Sequence, residues 1–160
     1  MATLAELPLK YQLLLAAYPW RSVSPPAWTP LTRPLRSARM ALVTSAGLYH
    51  PARDHRFVAK RGGDASFRWI DRGQDLSELG IGQTSDLFDR GAIEADRNEA
   101  FPLDRLEELV QRGELGSLAE RHPSFNGSIT VPTRLVREGA PAVVAELTRD
   151  RVDAALLVPV

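Results

Sequence analysis

A run of polar residues ahead of a predicted helix offers the clearest groups for chemistry. Asp89, Asp96 and Asn98 precede the segment Phe101–Leu106. In a functional interpretation, a polar loop that opens onto a helix N-terminus positions a substrate carboxylate, with Arg105 nearby. In a structural interpretation, Asp89 and Asp96 satisfy loop amides and Asn98 sets a turn before the helix. The residue types alone favour the structural interpretation.

The three histidines do not form a metal-binding pattern. His50 and His55 lack helical spacing, and the sequence contains no HExxH motif. Loop histidines, and a hydrogen-bonded core histidine at His122, are therefore favoured over a metal site. A Ser-His-Asp triad is weaker still, because the sequence has no GxSxG elbow.

The segment Thr44–His50 follows a predicted strand and offers amides and hydroxyls that can cradle an anion. The segment is neither a GxGxxG motif nor a P-loop, so it gives no support for a nucleotide site. A plain strand-to-loop turn with one glycine is the favoured interpretation.

Composition excludes several classes of function. The sequence has no cysteine, so these 160 residues hold no disulfide, thiolate metal site or cysteine nucleophile. Twenty basic and twenty acidic side chains balance, which gives a nucleic-acid partner no electrostatic support. No run approaches the ~20 apolar residues that span a bilayer, and no secretory pattern is present, so we expect no membrane association and a cytoplasmic protein.

Two apolar runs predict the strands that must position any site. Met40–Thr44 has the pattern of a strand buried on both faces, as in a parallel sheet. Val152–Val160 contains a second such strand, and it follows a helix predicted from Pro141 to Arg149. Another helix is predicted between Pro102 and Gly113, and a half-exposed strand over Ser66–Ile70. These elements predict an α/β fold with a parallel, or mostly parallel, sheet and flanking helices.

The rest of the chain gives weaker signals. Residues 1–38 read as an irregular N-terminal arm rich in proline, with Trp20 and Trp28 as anchors, ahead of an α/β domain over residues 39–160. The apolar residues of the segment 71–98 follow neither a helical nor a strand spacing, so this segment is predicted to be mostly loop.

The predicted last strand indicates where a ligand would bind. In open α/β sheets, ligands bind beyond the carboxyl ends of the strands. Pro159 suits a strand that turns into a loop, and the sequence ends one residue later. We therefore expect the domain to be truncated, with its sheet incomplete at the C-terminus.

Four blocks of the sequence occur in order: Pro30–Leu35 with Ala41–Leu48, Phe88–Asn98 with Phe101–Leu109, Leu115–Gly127, and Val152–Val160. Together they resemble selenoprotein B of the glycine/sarcosine/betaine/D-proline reductase family. The resemblance covers about Pro30 to Val160 and is loosest between Pro51 and Ala65.

The resemblance implies an oxidoreductase subunit that cleaves a C–N bond reductively. A selenocysteine, or a cysteine in variants, follows the last strand in that family and attacks the carbon that bears the nitrogen. A thioredoxin-type reductant regenerates it, so the implied partners are that reductant, other reductase subunits and a small amino-acid-like substrate. No cofactor is expected within these residues. Because UGA encodes selenocysteine, we expect that codon directly after Val160, followed in frame by a cysteine.

The resemblance also suggests roles for individual residues. Asp89, Asp96 and Asn98 would line the substrate side, and His122 would donate a proton to the leaving amine. Arg105 would instead hold its helix in place through a salt bridge. We expect these polar residues to gather near the carboxyl end of the last strand.

Two other hypotheses compete with the reductase. One is a catalytically silent interaction or structural module on the same α/β scaffold, and the other is a small metal- or anion-binding domain. The sequence that follows Val160 separates the reductase from the silent module, and metal content tests the third.

Overall fold

The computed structural model describes residues 4–18, 22, 24–26, 29–83, 88 and 90–160. These residues form two compact units, Met1–Pro30 and Leu31–Val160. Trp20 and Trp28, the predicted anchors of the arm, lie outside the described residues. The predicted boundary at residue 38 stays a prediction.

The first unit contains one α-helix, α1, over Leu9–Ala17, after a short 3-10 turn at Leu4–Glu6. None of the α1 side chains is buried, and Leu9, Leu13 and Leu14 are all exposed.

The second unit carries the α/β fold. Its α-helices are α2 (Arg90–Ala95), α3 (Leu103–Gln111) and α4 (Ala140–Arg149). Its strands are β1 (Arg39–Thr44), β2 (Leu48–Tyr49), β3 (Phe67–Asp71), β4 (Gly80–Ile81), β5 (Ser117–Leu118), β6 (Arg121–Phe125) and β7 (Ala154–Val158). Short 3-10 turns lie at Leu35–Ser37, Leu76–Glu78 and Arg97–Glu99, and a π-helical turn at Leu135–Gly139 leads into α4.

Strand β1 lies at the centre of the main sheet. On one side it pairs in parallel with β7, residue for residue, from Met40 beside Ala154 to Thr44 beside Val158. On its other side it pairs in parallel first with β5 and then with β6, and β3 continues the sheet antiparallel to β6. Strands β2 and β4 form a separate antiparallel pair. The mostly parallel α/β sheet with flanking helices is therefore confirmed.

Helices α3 and α4 occur where the sequence predicts them. Pro102 precedes α3, Leu103 and Leu106 bury its apolar face, and Gly113 ends it with a positive φ of 71°. Pro141 lies in the first turn of α4, where its missing N–H costs nothing. Helix α3 thus brings Leu103 and Leu106 into the core, which also contains Leu42, Leu48, Ile70, Leu79, Phe101 and Leu118.

Strand β7 is parallel to β1 as predicted, but the expectation that it is buried was wrong. Leu156 is 39% exposed and Leu157 is 67% exposed, whereas Leu42 of β1 is fully buried. The reason is that β7 pairs only with β1 among the described residues. Its apolar sequence, typical of a central strand, thus lies at an edge of this sheet.

The sequence did not predict helix α2, strand β6 or the two-residue strands β2, β4 and β5. Helix α2 forms within the segment 71–98 that was predicted to be mostly loop, and it buries only Ile93. Strand β6 forms between β1 and β3 although it contains Pro123, which cannot donate to a ladder and usually excludes a central position.

Candidate functional site

A groove opens where β1 and β7 end, which is the edge of a parallel sheet that binds ligands in open α/β folds. It has a volume of ≈ 510 Å³ and is mainly apolar. Strand residues Val43, Leu157 and Val158 line it together with Phe125 and Leu135. Such a volume suits a small molecule.

Ser45 ties the segment after β7 to the end of β1. Its Oγ accepts a hydrogen bond from the Val160 N–H at 2.9 Å, and its hydroxyl lies 3.3 Å from the Val160 carbonyl oxygen. The Ser45 N–H donates to the Val158 carbonyl at 3.2 Å. The Val160 backbone is therefore held at the rim of the groove.

The turn after β1 uses its polar groups internally. The Thr44 hydroxyl donates to the Ala100 carbonyl at 2.7 Å and accepts from the Ala46 N–H at 3.1 Å. The Gly47 N–H donates to the Phe125 carbonyl at 2.8 Å. With these donors engaged, the turn has the plain structural role that the sequence favours, and it does not present an anion cradle.

Gly47 is needed for this arrangement. Its φ is +68°, and a Cβ there would lie 2.8 Å from the Asn126 Oδ1 and 2.9 Å from the Gln83 backbone nitrogen. The glycine lets the segment after β6 pack directly against the turn after β1.

Asp96 and Asn98 lie together, as the sequence predicts, but in a different cleft. The Asp96 carboxylate accepts hydrogen bonds from the Asn98 backbone N–H at 2.9 Å and from its side-chain amide at 3.0 Å. These bonds, the backbone one foremost, lower the pKa of Asp96. Asn98 in turn accepts from the Asp104 N–H at 3.2 Å and donates to the Asp104 carboxylate at 2.9 Å, which caps the start of α3. Asp89 lies outside the described residues.

The cleft around these residues is acidic and has a volume of ≈ 360 Å³. Asp75, Glu94, Asp96 and Asp104 supply its carboxylates. Within the described part of the chain, no group of three or more histidines, aspartates or glutamates is arranged to hold a metal ion. Arg105 pairs with Glu108, one turn along α3.

His122 is buried within β6, away from both the groove and the acidic cleft. Its Nδ1 accepts a hydrogen bond from the Leu42 N–H at 3.0 Å, so the imidazole replaces a backbone acceptor between β6 and β1. Burial, with a smaller contribution from the Arg72 charge, lowers the pKa of His122 to about 4. The ring is therefore neutral at pH 7, with its proton on Nε2, which has no partner in the described structure. The structure does not bring His122 together with Asp96 and Asn98, and substrate contact by these residues stays a prediction.

Sequence reasoning missed a second hollow, of ≈ 370 Å³, that shares the segment Asn126–Ser128 with the groove. Lys60 lines it with an exposed side chain, and Asn126 lines it although it is only 4% exposed. The Asn126 Oδ1 is buried without a hydrogen-bond partner. The dipeptides Gly62-Gly63 and Asn126-Gly127 were the available signals, since G-G and N-G dipeptides mark tight turns.

Asp64 holds the loop that carries Lys60. Its carboxylate accepts from the Val58 N–H at 2.9 Å, and from the Ser66 N–H at 3.0 Å and hydroxyl at 2.7 Å. Burial alone would raise the pKa of this carboxyl, but these hydrogen bonds and the Lys60 charge lower it to about 2. Asp64 is thus a permanently ionised anchor for the loop.

No helix in the described ranges combines the length and the apolar character that crossing a membrane requires.

Comparisons with known proteins match this sequence to one family. The sequence model of the glycine/sarcosine/betaine reductase selenoprotein B family matches residues 18–160. The D-proline reductase subunit gamma of Acetoanaerobium sticklandii is 33% identical over 133 residues, which cover 83% of this chain and 53% of the relative. The chain thus spans about half the length of the curated relative it matches. No solved structure matches it.

Proposed function

This chain belongs to the glycine/sarcosine/betaine reductase selenoprotein B family, and we propose that it forms the part of a reductase subunit that holds the substrate beside the nucleophile. The reaction is reductive cleavage of a C–N bond in a small amino-acid-like substrate. The nucleophile is a selenocysteine or cysteine that follows Val160, since these 160 residues contain no cysteine.

The groove at the ends of β1 and β7 is the observation that carries this proposal. The hydrogen bonds between Ser45 and Val160 fix the chain at the rim of the groove. A nucleophile one or a few residues later would therefore emerge against the groove rather than away from it. The apolar walls, from Val43, Phe125 and Leu157, exclude water from a selenolate or thiolate and so keep it reactive.

The proposed reaction needs partners. Attack on the carbon breaks the C–N bond and leaves the enzyme with a selenoether or thioether. A protonated or quaternary nitrogen departs as ammonia or a neutral amine, whereas a ring nitrogen such as that of proline stays attached to the substrate through its other carbon. A thiol reductant of the thioredoxin type must then supply two electrons to release the product and restore the nucleophile. The relative is named as a subunit of D-proline reductase, which supports further reductase subunits as partners of this chain. A nucleophile of this kind also needs a reducing compartment, and we place the protein in the cytoplasm on that ground.

The exposed apolar side chains of β7 favour a second candidate function. Leu156 and Leu157 present apolar surface at an open sheet edge, which suits a module that binds another polypeptide without catalysis. The two candidates differ in whether a selenocysteine or cysteine follows Val160.

A turnover assay separates the candidates. The 160-residue chain and the protein expressed through the codons after Val160 are each incubated with glycine, sarcosine, betaine or D-proline, partner subunits and a dithiol. C–N cleavage is measured as ammonia or amine release from the first three substrates and as the ring-opened 5-aminopentanoate from D-proline. We expect cleavage only with the longer protein, because the shorter chain has no selenolate or thiolate to attack the carbon. Cleavage by the 160-residue chain would refute the proposed chemistry, and cleavage by neither protein would favour the silent module.

A further inference from the structure

Val160 lies where the ladder between β1 and β7 would continue. In a parallel ladder, every second residue of a strand directs both its N–H and its C=O towards the same neighbouring strand. The Ser45 N–H donates to the Val158 carbonyl at 3.2 Å, so Val158 is one of these residues. The same alternation turns the N–H and the C=O of Val160, two residues later, towards β1. A continued ladder would therefore need a partner for each of these groups.

The Ser45 side chain supplies both partners in place of the backbone. By the register of β1 and β7, the Gly47 N–H would donate to the Val160 carbonyl, but it donates to the Phe125 carbonyl at 2.8 Å. The Ser45 hydroxyl instead donates to the Val160 carbonyl at 3.3 Å, and its Oγ accepts from the Val160 N–H at 2.9 Å. One hydroxyl serves both groups because it is a donor and an acceptor. Pairing with β1 thus extends two residues beyond β7.

This pairing decides which side chains face the groove. Side chains alternate between the two faces of a sheet, and register partners in a parallel pair share a face. Val43 and Leu157 are register partners, and both line the groove. The alternation places Pro159 on the same face as Leu157, and Val160 on the opposite face. The first residue after Val160 would then face the groove, and the second would face away from it.

We propose that Ser45 is a positioning residue: it keeps the chain in register with β1 up to Val160 and so directs the side chain of the first residue after Val160, not of the second, to the groove. The inference rests on the proposed function and deepens it, because a nucleophile at that first position would face the substrate. Without the Ser45 hydroxyl, the N–H and C=O of Val160 lose the bonds that tie them to β1. The end of the strand would then turn freely, and neither position would be favoured.

The two faces of the sheet carry residues that report on this orientation. Ile129 and Leu135 line the groove. Ala100 lies on the opposite face, because its carbonyl accepts from the hydroxyl of Thr44, the strand residue next to Val43. A probe attached just after Val160 therefore lies nearer one set or the other according to the face that it occupies.

A spin label measures the orientation without any turnover. The 160-residue chain is extended past Val160 by Cys-Gly-Gly or by Gly-Cys-Gly, and the added cysteine is the only thiol because the chain has none. A nitroxide is attached to it, and the paramagnetic broadening of backbone amides is measured by NMR. We expect the label at the first position to broaden Ile129 and Leu135 at least twofold more than Ala100, and the label at the second position to reverse this ratio. The same ratio from both positions, or the opposite order, would overturn the assignment.

Variants of the extended chains test whether Ser45 sets the orientation. Ser45→Ala should make the ratios from the two label positions equal, and Ser45→Thr, which keeps the hydroxyl, should restore the difference. Ser124→Ala is the matched control, because it removes a buried hydroxyl that bonds to nothing in the described structure, beside Thr44 in the sheet. It should leave both ratios unchanged. A Ser45→Ala chain that keeps the difference, or a Ser124→Ala chain that loses it, would overturn the role of Ser45.

Failure of this inference is distinguishable from failure of the proposed function. The label reports orientation with no nucleophile or substrate present, so equal ratios from the two positions would remove the inference even if the longer protein cleaves the C–N bond. Conversely, a difference that depends on Ser45, with no cleavage by the longer protein, would keep the positioning role and remove the chemistry. Thermal unfolding of each variant checks that it folds.

Discussion

Acidification should destabilise this protein through His122. In the folded state its pKa is about 4, whereas an unfolded histidine has a pKa of about 6.5. Between these values the unfolded chain binds more protons than the folded one, so stability decreases as the pH falls. The stability that comes from keeping His122 neutral is fully present above pH 6.5 and is lost by about pH 4. The free energy of unfolding is therefore about 3 kcal/mol lower at pH 4 than above pH 6.5, a large share of the 5–15 kcal/mol that typically stabilises a domain.

His122→Asn isolates this contribution. The asparagine amide oxygen can still accept the Leu42 N–H, but it cannot take up a proton in this range. The free energy of unfolding is measured by urea titration between pH 7 and pH 4.5 for the wild type, for His122→Asn and for a control, His55→Asn, in which the replaced histidine is exposed.

We expect the wild type and the His55→Asn control to lose about 2 kcal/mol or more across this range, and His122→Asn to lose far less. Carboxylates such as Asp64, whose pKa lies near 2, contribute only at lower pH and do not obscure the result. An equally steep loss in His122→Asn would refute the buried, neutral histidine that bonds β6 to β1.

Two further predictions concern the segments that shape the site. Gly47→Ala should cost about 2 kcal/mol or more, because φ is positive and the new Cβ meets Asn126, whereas Gly73→Ala, with a similar φ but nothing within 4 Å, should cost about 1 kcal/mol in the same urea titrations. Asn98→Ala removes the acceptor for the Asp104 N–H and should cost about 1 kcal/mol, measured as a lower midpoint of thermal unfolding; an unchanged midpoint would show that this cap contributes nothing.

Elements with a continuous local pattern could be predicted from the sequence. Four such elements form where expected: β1, β7, α3 and α4. In each of them the apolar residues follow a regular pattern, and a proline or glycine lies near one end. β6 could not be predicted, because Pro123 and His122 lie inside it. Its place in the sheet depends on a side-chain acceptor, the His122 Nδ1, which no backbone propensity describes.

The exposure of β7 was not predictable either. A continuous apolar sequence indicates a strand whose two faces are buried, but the sequence does not identify the residues that bury it. Among the described residues only β1 pairs with it, so Leu157 is exposed despite its sequence context.

One part of the candidate site could be predicted from the sequence and another could not. The structural interpretation of Asp96 and Asn98 followed from their types, and the structure gives these residues loop and capping bonds. The hollow could not be predicted, because its lining residues Lys60 and Asn126 are distant in sequence and their segments are brought together by the close approach of Gly63 to Ile129.

The residue that follows Val160 in the native protein tests the central claim most directly. Native protein is incubated with substrate without reductant, and mass spectrometry determines the sequence and mass of the peptide that continues from β7. We expect a selenocysteine or cysteine within a few residues of Val160, carrying the substrate carbon as a selenoether or thioether: without the nitrogen for glycine, sarcosine or betaine, and with the ring nitrogen retained for D-proline. A peptide with neither residue, or one that stays unmodified while the C–N bond is cleaved, would contradict the proposed reductase.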